Sequence, residues 1–482
     1  MEPWLIVIIA ILAVIVVFLA IIIIRTLAFR PKKSVQADIS EVNFDKAAAV
    51  SNLQTLVRFK TVSSYDPEQE DDAEFKKLIA KLPELYPAVF EKCEFKELQN
   101  RALLFKWTGK SHDKASVMMA HYDVVPVNEE AWSVPPFEGI IKDGIMWGRG
   151  TLDTKVTFNG VLTAANHLIE SGFVPEKDVY LAFSGGEEVN GPGAINIVNY
   201  FKDNNIELDL VVDEGGAVVT DVFPGVKEPC GLIGIAEKGM INVEYKCSSS
   251  GGHASAPKPH TPVGVLSKAC VKIEDNPFKY HITKPVKEMF DTLGRRSNFV
   301  YRMIFANLWC FGFLINKMCK KSGGELNALM RTTVAFTQME GSKACNVIPP
   351  EAKMISNIRL NPEDSIESAL KYLKDTVNDD SVEITAMFGM EPSRISQTNC
   401  PSYDKVAQAV ASTWKGSIVS PYLMVQCSDS RHYGVISDKV YRFSAMDLTK
   451  EERSTIHGND EHIRLSTIEK AVEFYIRLMS KC

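Results

Sequence analysis

Five short segments bring carboxylates and imidazoles to the ends of apolar runs. AHYDVVP carries His121 and Asp123, WGRGTLDTK carries Asp153, SGGEEVNGPG carries Glu187 and Glu188, VVDEGG carries Asp213 and Glu214, and IHGNDEH carries His457. Two imidazoles and three or more carboxylates converging on one place suit a pair of divalent metal ions; histidine nitrogens favour zinc, and a carboxylate can bridge. Singly, each segment has an ordinary structural explanation. A histidine at a strand end is commonly a hydrogen-bonded core residue, and Asp-Glu before Gly-Gly is commonly a solvated turn. Their joint occurrence with glycine-rich flanks is what points to metal chemistry.

The elements that must position these groups follow from hydrophobic pattern. Val117–Ala120, Val179–Phe183 and Leu208–Val212 are short apolar runs that stop at the polar clusters, and helix-like segments at Phe158–Ser171 and Gly193–Lys202 alternate with them. That alternation predicts an α/β fold with a mostly parallel sheet flanked by helices. In such sheets ligands bind beyond the carboxyl ends of the strands, where the acids and histidines lie. Further on, Ile241–Cys247, Asn327–Gln338, Ala352–Leu360 and Val382–Phe388 read as strands, with helices at Thr261–Glu274 and Ser365–Val377. The order β-α-β-β-α-β is that of a ferredoxin-like unit, carrying an extra helical insertion over Val286–Lys321. The α/β pattern resumes after about Pro392 with a helix at Tyr403–Lys415. The chain therefore divides into an N-terminal segment (1–33), a first part of the main domain (34–236), an inserted domain (237–390) and a second part of the main domain (391–482).

Trp4–Ile24 contains no charged residue and is long enough to cross a bilayer as a helix. Glu2 at its start argues against a cleaved signal peptide, which wants a basic start and a shorter apolar run. Arg25, Arg30, Lys32 and Lys33 follow it, and this charge bias favours a cytoplasmic body on a single-pass membrane protein. No Asn-x-Ser/Thr site occurs in the chain. Phe299–Met318 is also apolar but holds Arg302, Asn307, Asn316 and Lys317, and reads as a packed helix. Of 482 residues, 54 are basic and 60 acidic, for a net charge of -6; with no basic footprint, nucleic acid is not an expected partner. The ten cysteines show no CxxC pair and read as free thiols in cores.

At this level the sequence resembles the dizinc metallopeptidase and aminoacylase family that includes carboxypeptidase S, aminoacylase and the glutamate carboxypeptidases. HxDVVP, DGxxWGRGxxDxK, the Gly-x-Glu-Glu block and the late histidine occur in order, and the resemblance runs from about Ala48 to Leu478. DEGG, KGMINVEYKCSSSGGHASAP and NALMRTT followed by NVIPPEA are most similar to the branch of carboxypeptidase S and the N-fatty-acyl-amino acid synthase/hydrolases. The resemblance implies a zinc-peptidase-like domain with an inserted lid or dimerisation domain, and two Zn2+ per subunit. His121 and Glu214 would bind one metal, His457 and Glu188 the other, with Asp153 between them; Asp213 is the alternative to Glu214. Asp123 would buttress His121, and Glu187 would be the general base for a water held between the metals. His253, in SGGHASAP, matches a lid histidine that steadies the tetrahedral oxyanion, in dimeric members from the partner subunit. Arg431, in CSDSRHY, matches an arginine that grips a substrate α-carboxylate, and Asn346 and Arg359 match lid positions. Gln426-Cys427 departs from the family, where many relatives carry glycine.

The expected activity is hydrolysis of an amide next to a free α-carboxylate, as a carboxypeptidase or dipeptidase. The alternative is an N-acyl, including N-fatty-acyl, amino acid hydrolase or synthase. The expected partners are a small peptide or N-acyl amino acid, the membrane through the N-terminal helix, and a second copy in a homodimer through the lid. The resemblance also allows a vacuolar, lumenal or secreted body. An aminopeptidase would want a carboxylate for the substrate amine, where Arg431 offers the opposite charge, and a non-enzymatic scaffold would be expected to have lost ligands that are all present.

Overall fold

The computed structural model describes residues 2–482. An eight-stranded sheet runs in the order Glu94–Leu98, Ala102–Trp107, Lys177–Ser184, Ser111–His121, Leu208–Val219, Val440–Leu448, Cys230–Glu237, Ile418–Met424. Its centre, from Lys177–Ser184 to Val440–Leu448, is parallel and buried on both faces. Helices Lys155–Glu170, Pro401–Thr413 and Leu465–Met479 share the larger core on one face, and Gly193–Asp203 closes the other. The mostly parallel sheet expected from the pattern is in fact mixed. Glu94–Leu98 and Ala102–Trp107 form a tight hairpin with Asn100 and Arg101 at positive φ, a connection that permits only antiparallel pairing. Cys230–Glu237 also returns antiparallel against the end of Leu208–Val219, after a ten-residue connection.

The four-stranded sheet, in the order Thr333–Glu340, Glu351–Leu360, Gly239–Ser248, Val382–Met390, is antiparallel throughout. Ile241, Val243, Tyr245 and Cys247 alternate inward onto helices Pro262–Asp275 and Ile366–Val377, giving a separate core. This is the β-α-β-β-α-β order read from sequence. One boundary differs. Asn327–Gln338 does not begin as a strand, because Gly324–Met330 is helical and the strand starts at Thr333; Leu, Ala and Met are good helix formers, and Leu329 and Met330 are buried there. Lys238 alone separates Cys230–Glu237 from Gly239–Ser248. A side chain at Gly239 would meet the Met390 carbonyl at 2.6 Å and the Pro392 nitrogen at 2.7 Å, so the two crossings between the sheets touch.

The insertion consists of helices Lys284–Gly294, Phe299–Ala306 and Leu308–Ser322. Phe299–Met318, read as one packed helix, is broken at Asn307, with 113° between its halves. Asn307 leaves helical geometry (φ -127°, ψ 42°) and donates to the Met303 carbonyl at 2.9 Å and the Ile22 carbonyl at 3.2 Å. The apolar helix Pro3–Ala28 is long enough to cross a membrane, and only Ile22 and Thr26 along it are buried. All ten cysteines are free.

Candidate metal centre

His121 ends its strand, and its ring is 2% exposed. Nδ1 donates to the backbone carbonyl of Asp123 at 3.0 Å, which aims Nε2 outward. Nε2 meets Asp153 Oδ1 at 3.0 Å and Glu214 Oε1 at 3.3 Å. The other oxygen of Asp153 lies 3.0 Å from His457 Nε2, which is also 3.1 Å from Glu188 Oε2. Asp153 thus turns one oxygen to each of two histidine-glutamate pairs. Donor atoms of His121, Glu187 and Glu214, and of His121, Asp153 and Glu188, each fall within 4.8 Å of one another.

The electrostatics show a site short of positive charge. Burial, reinforced by neighbouring carboxylates, raises Glu187 well above the ordinary range and raises Glu188 and Glu214, the last to about 7. Hydrogen bonds that His457 donates to Asp153 and Glu188 push it up to about 10. Burial would lower His121, but Glu214, Asp123 and Asp153 outweigh it and raise that ring as well. Burial would raise Asp153, and the two histidines instead hold it below its usual value. Glu188 Oε1 is buried without a hydrogen-bond partner. Histidine nitrogens, converging carboxylates and an unsatisfied buried oxygen fit a pair of divalent cations.

The brace for the two glutamates is Asp123. Its carboxylate accepts the backbone N–H groups of Glu187 and Glu188, both at 3.2 Å, and stands 3.4 Å from His121 Nδ1. The expected buttress of His121 is therefore first a carbonyl, and the Asp123 side chain fixes the Glu187–Val189 turn. Asp213 faces away from the cluster and accepts the Ser430 N–H at 2.9 Å, leaving Glu214 as the ligand candidate of that pair. Gly216 allows the strand to pass this point, since a side chain there would lie 1.8 Å from the Leu232 carbonyl oxygen.

Two buried carboxylates were missed from sequence. Glu461 accepts the N–H groups of Leu152 (2.6 Å), Gly150 (3.1 Å) and Asp153 (3.2 Å) and pairs with Arg149. It ties the Asp153 loop to the His457 loop, and its place four residues after His457 in the same motif was the available signal. Glu237 has no such signal. It pairs with Arg431 at 2.9 Å and with Arg442, and accepts the Ser428 N–H at 2.9 Å; burial would raise it, but the two arginines hold it below the ordinary range.

Arg431 is consequently not an open guanidinium. Its side chain is 8% exposed, with Nη2 on Glu237 and Nη1 near Met390. Arg359 is half-buried. Its Nε donates to Asn357 at 3.1 Å and its Nη1 to Cys427 Sγ at 3.3 Å, and no acidic side chain pairs with it among the described residues. Cys427 thus helps aim Arg359. His253 and Asn346 are not brought to the metal cluster. They sit together on an exposed ribbon, Gly252–His253 paired with Val347–Ile348, where the Ala254 N–H donates to the Asn346 carbonyl at 3.0 Å and His253 Nδ1 meets Ser255 at 2.7 Å.

Residues 117–481 match the model of peptidase family M20/M25/M40. The chain is 33% identical to the N-fatty-acyl-amino acid synthase/hydrolase of Xenopus tropicalis, over 98% of this chain and 94% of that protein. It is 31% identical to a probable carboxypeptidase S-like protein of Dictyostelium discoideum, over 96% and 91%. Among solved structures it is similar to an M20 family metallo-carboxypeptidase from Sulfolobus solfataricus, with a TM-score of 0.64, 18% identity, and 90% and 98% of the two chains covered.

Proposed function

The chain belongs to peptidase family M20/M25/M40, and from that premise we propose that it is a membrane-anchored, two-zinc hydrolase of amides whose amine product carries a free α-carboxylate. Membership makes it a hydrolase acting on amide bonds; the metal identity, the anchor and the substrate are our reading. The observation that carries it is the division of Asp153 between His121 with Glu214 and His457 with Glu188.

These five side chains would hold two Zn2+. Bound there, the ions would polarise the scissile carbonyl and make water a competent nucleophile near neutral pH. Glu187 stands beside the ligands and forms no ion pair among the described residues, and burial with neighbouring carboxylates raises its affinity for a proton. Such a carboxylate takes a proton from the attacking water at its oxygen and returns it to the leaving nitrogen. Asp123 keeps Glu187 aimed by holding its backbone N–H. Arg359 offers a guanidinium to the substrate carboxylate, while Arg431 braces the pocket floor through Glu237. His253 and Asn346 would complete the oxyanion site from a second copy of the chain, with the four-stranded sheet as lid and dimer interface.

Two substrate classes share this chemistry, C-terminal peptides and N-acyl amino acids. The Xenopus tropicalis relative, matched over nearly the whole of both chains, favours N-fatty-acyl amino acids, with condensation as the reverse reaction. The test is amine release from dipeptides, N-acetyl amino acids and N-fatty-acyl amino acids by the full chain, with and without chelator, beside Glu187→Gln. We expect chelator-sensitive turnover that falls about 10²–10⁴-fold in Glu187→Gln with metal content unchanged. Full activity in that variant would overturn the assigned base, and turnover indifferent to chelator would overturn the metal reading.

A further inference from the structure

The apolar helix does not leave the body freely. Arg25 donates to Asn307 Oδ1 at 3.2 Å and to the Ala306 carbonyl at 3.1 Å, and Asn307 Nδ2 reaches Thr26 Oγ1 at 3.3 Å. The elbow between Phe299–Ala306 and Leu308–Ser322 therefore grips the last turns of Pro3–Ala28. Farther back along the helix, the Trp309 indole meets the Phe18 ring edge-on, with centroids 5.7 Å apart.

That second contact fixes a depth. Phe18 precedes Arg25 by seven residues, about 10 Å along a helix axis, and lies inside the uncharged run. A side chain touching Phe18 is level with the apolar segment and not with its charged end. The outward surface of the elbow matches that level: Phe299, Val300, Trp309, Phe313 and Met318 are each between 50% and 68% exposed. Where the chain emerges from the apolar helix the chemistry reverses. Lys32, Lys33, Arg295 and Arg296 line a cavity of about 340 Å³. Asp291 pairs with Lys32 and Arg295, and Glu228 is the acid in the lining, so the collar stays basic. An apolar tip under a basic collar is the profile of an element lying in a membrane interface, with cations at the level of lipid phosphates.

We propose that the Asn307 elbow is a second membrane element, half-immersed in the leaflet on the body's side. Its tip, Trp309 and Phe313 with Phe299 and Val300, sits among acyl chains, and Lys32, Lys33, Arg295 and Arg296 meet lipid phosphates. The inference rests on the reading of Pro3–Ala28 as a span, since the depth of Trp309 is measured against it. Lipid is the occupant because the exposed patch is continuous with the span's own lipid-facing surface. The elbow also connects inward: Asn316, on Leu308–Ser322, accepts from buried Arg331, whose carbonyl accepts from Lys238 at the crossing between the sheets. The body is thus held on the bilayer at two places, and the elbow's second helix runs from lipid to the junction beside Arg359 and Cys427.

The experiment uses the full chain in vesicles of phosphatidylcholine and phosphatidylserine, with or without brominated acyl chains. Tryptophan emission of the wild type minus that of Trp309→Phe isolates Trp309. We expect a severalfold loss of that component with brominated lipid and little with aqueous iodide. Quenching by iodide instead would place Trp309 in water and overturn the proposal; protection from both quenchers would show the patch covered by protein, a second copy included, and would overturn it equally. Phe313→Trp in the Trp309→Phe background reports one turn farther along and is expected to behave as Trp309 does. Alkaline carbonate extraction of the same vesicles separates the premise from the inference. A chain that resists extraction while Trp309 is iodide-accessible loses only the elbow, whereas a chain released by carbonate loses the span and the elbow together.

Discussion

His121 ends a strand of the eight-stranded sheet, His253 ends a separate two-residue ribbon, and the two are held in opposite ways. His121 is buried, with a backbone carbonyl on one nitrogen and two carboxylates on the other. His253 is exposed, and its ring meets Ser255. The same contrast separates the regions around them. In the eight-stranded sheet, buried carboxylates that are not themselves candidate ligands (Asp123, Glu461, Glu237) hold the loops by their N–H groups, so the donor atoms converge before any substrate arrives. On the two-residue ribbon the candidate groups are exposed, and no buried carboxylate braces them among the described residues. The difference teaches that the metal cluster is built in advance and the ribbon is not; the proposed oxyanion role of His253 would require another copy or a movement of the lid.

The largest expected effect tests that division. His253→Asn should lower kcat about 10²–10³-fold, the usual cost of an oxyanion donor, without changing metal content. Mixing it with inactive Glu187→Gln after dissociation and reassociation should restore about a quarter of wild-type activity if subunits share sites. No restoration would confine the site to one chain and make lid closure the way His253 arrives. Glu461→Gln comes next. It leaves every ligand in place but weakens the hold on the Asp153 loop, and should reduce zinc affinity about 10–100-fold by competitive chelator titration; unchanged affinity would show that the loops need no such clamp.

Arg359→Met and Arg431→Met sharpen the comparison within the pocket. Loss of Arg359 should raise KM about tenfold or more for substrates with a free carboxylate and leave their amidated analogues alone. Loss of Arg431 should instead lower thermal stability, because it strips buried Glu237 of a partner. The reverse pattern would return the carboxylate-binding role to Arg431.

The smallest effect concerns Lys238, the residue between the sheets. Its ammonium donates to the Ala328 and Arg331 carbonyls, both at 2.8 Å, and burial, with help from Arg359, lowers it from 10.5 to about 7. The folded chain then sheds this proton at lower pH than the unfolded chain, so the unfolded state binds more protons between about pH 7 and 10.5 and stability from this group rises with pH. The Tm of the wild type should therefore gain on that of Lys238→Met as pH is raised across this window. Parallel Tm curves would show that Lys238 stays charged.

How much of this was legible in the sequence depended on locality. Strand-end positions such as His121, the glycine-flanked Glu187-Glu188 pair and the period-two burial of Ile241–Cys247 are written in adjacent residues, and so was the order of elements. The antiparallel edges depended on where a turn sends the chain. The break at Asn307 depended on partners, Ile22 and Arg25, almost three hundred positions away. Glu237 and Glu461 escaped because a carboxylate that binds backbone N–H groups looks in sequence like any surface acid. Arg431 carried a familiar motif, and only its distant partner shows it already occupied.

The contact of Gly239 with Met390 and Pro392 has a bearing on ancestry. A stretch whose two ends adjoin leaves its host chain nearly as continuous as if it were missing, and closing the gap needs a short linker with little loop entropy to overcome. Residues 239–390 form a cassette in that sense. A gene can gain, lose or exchange such a cassette without redrawing the sheet that holds the candidate metal ligands.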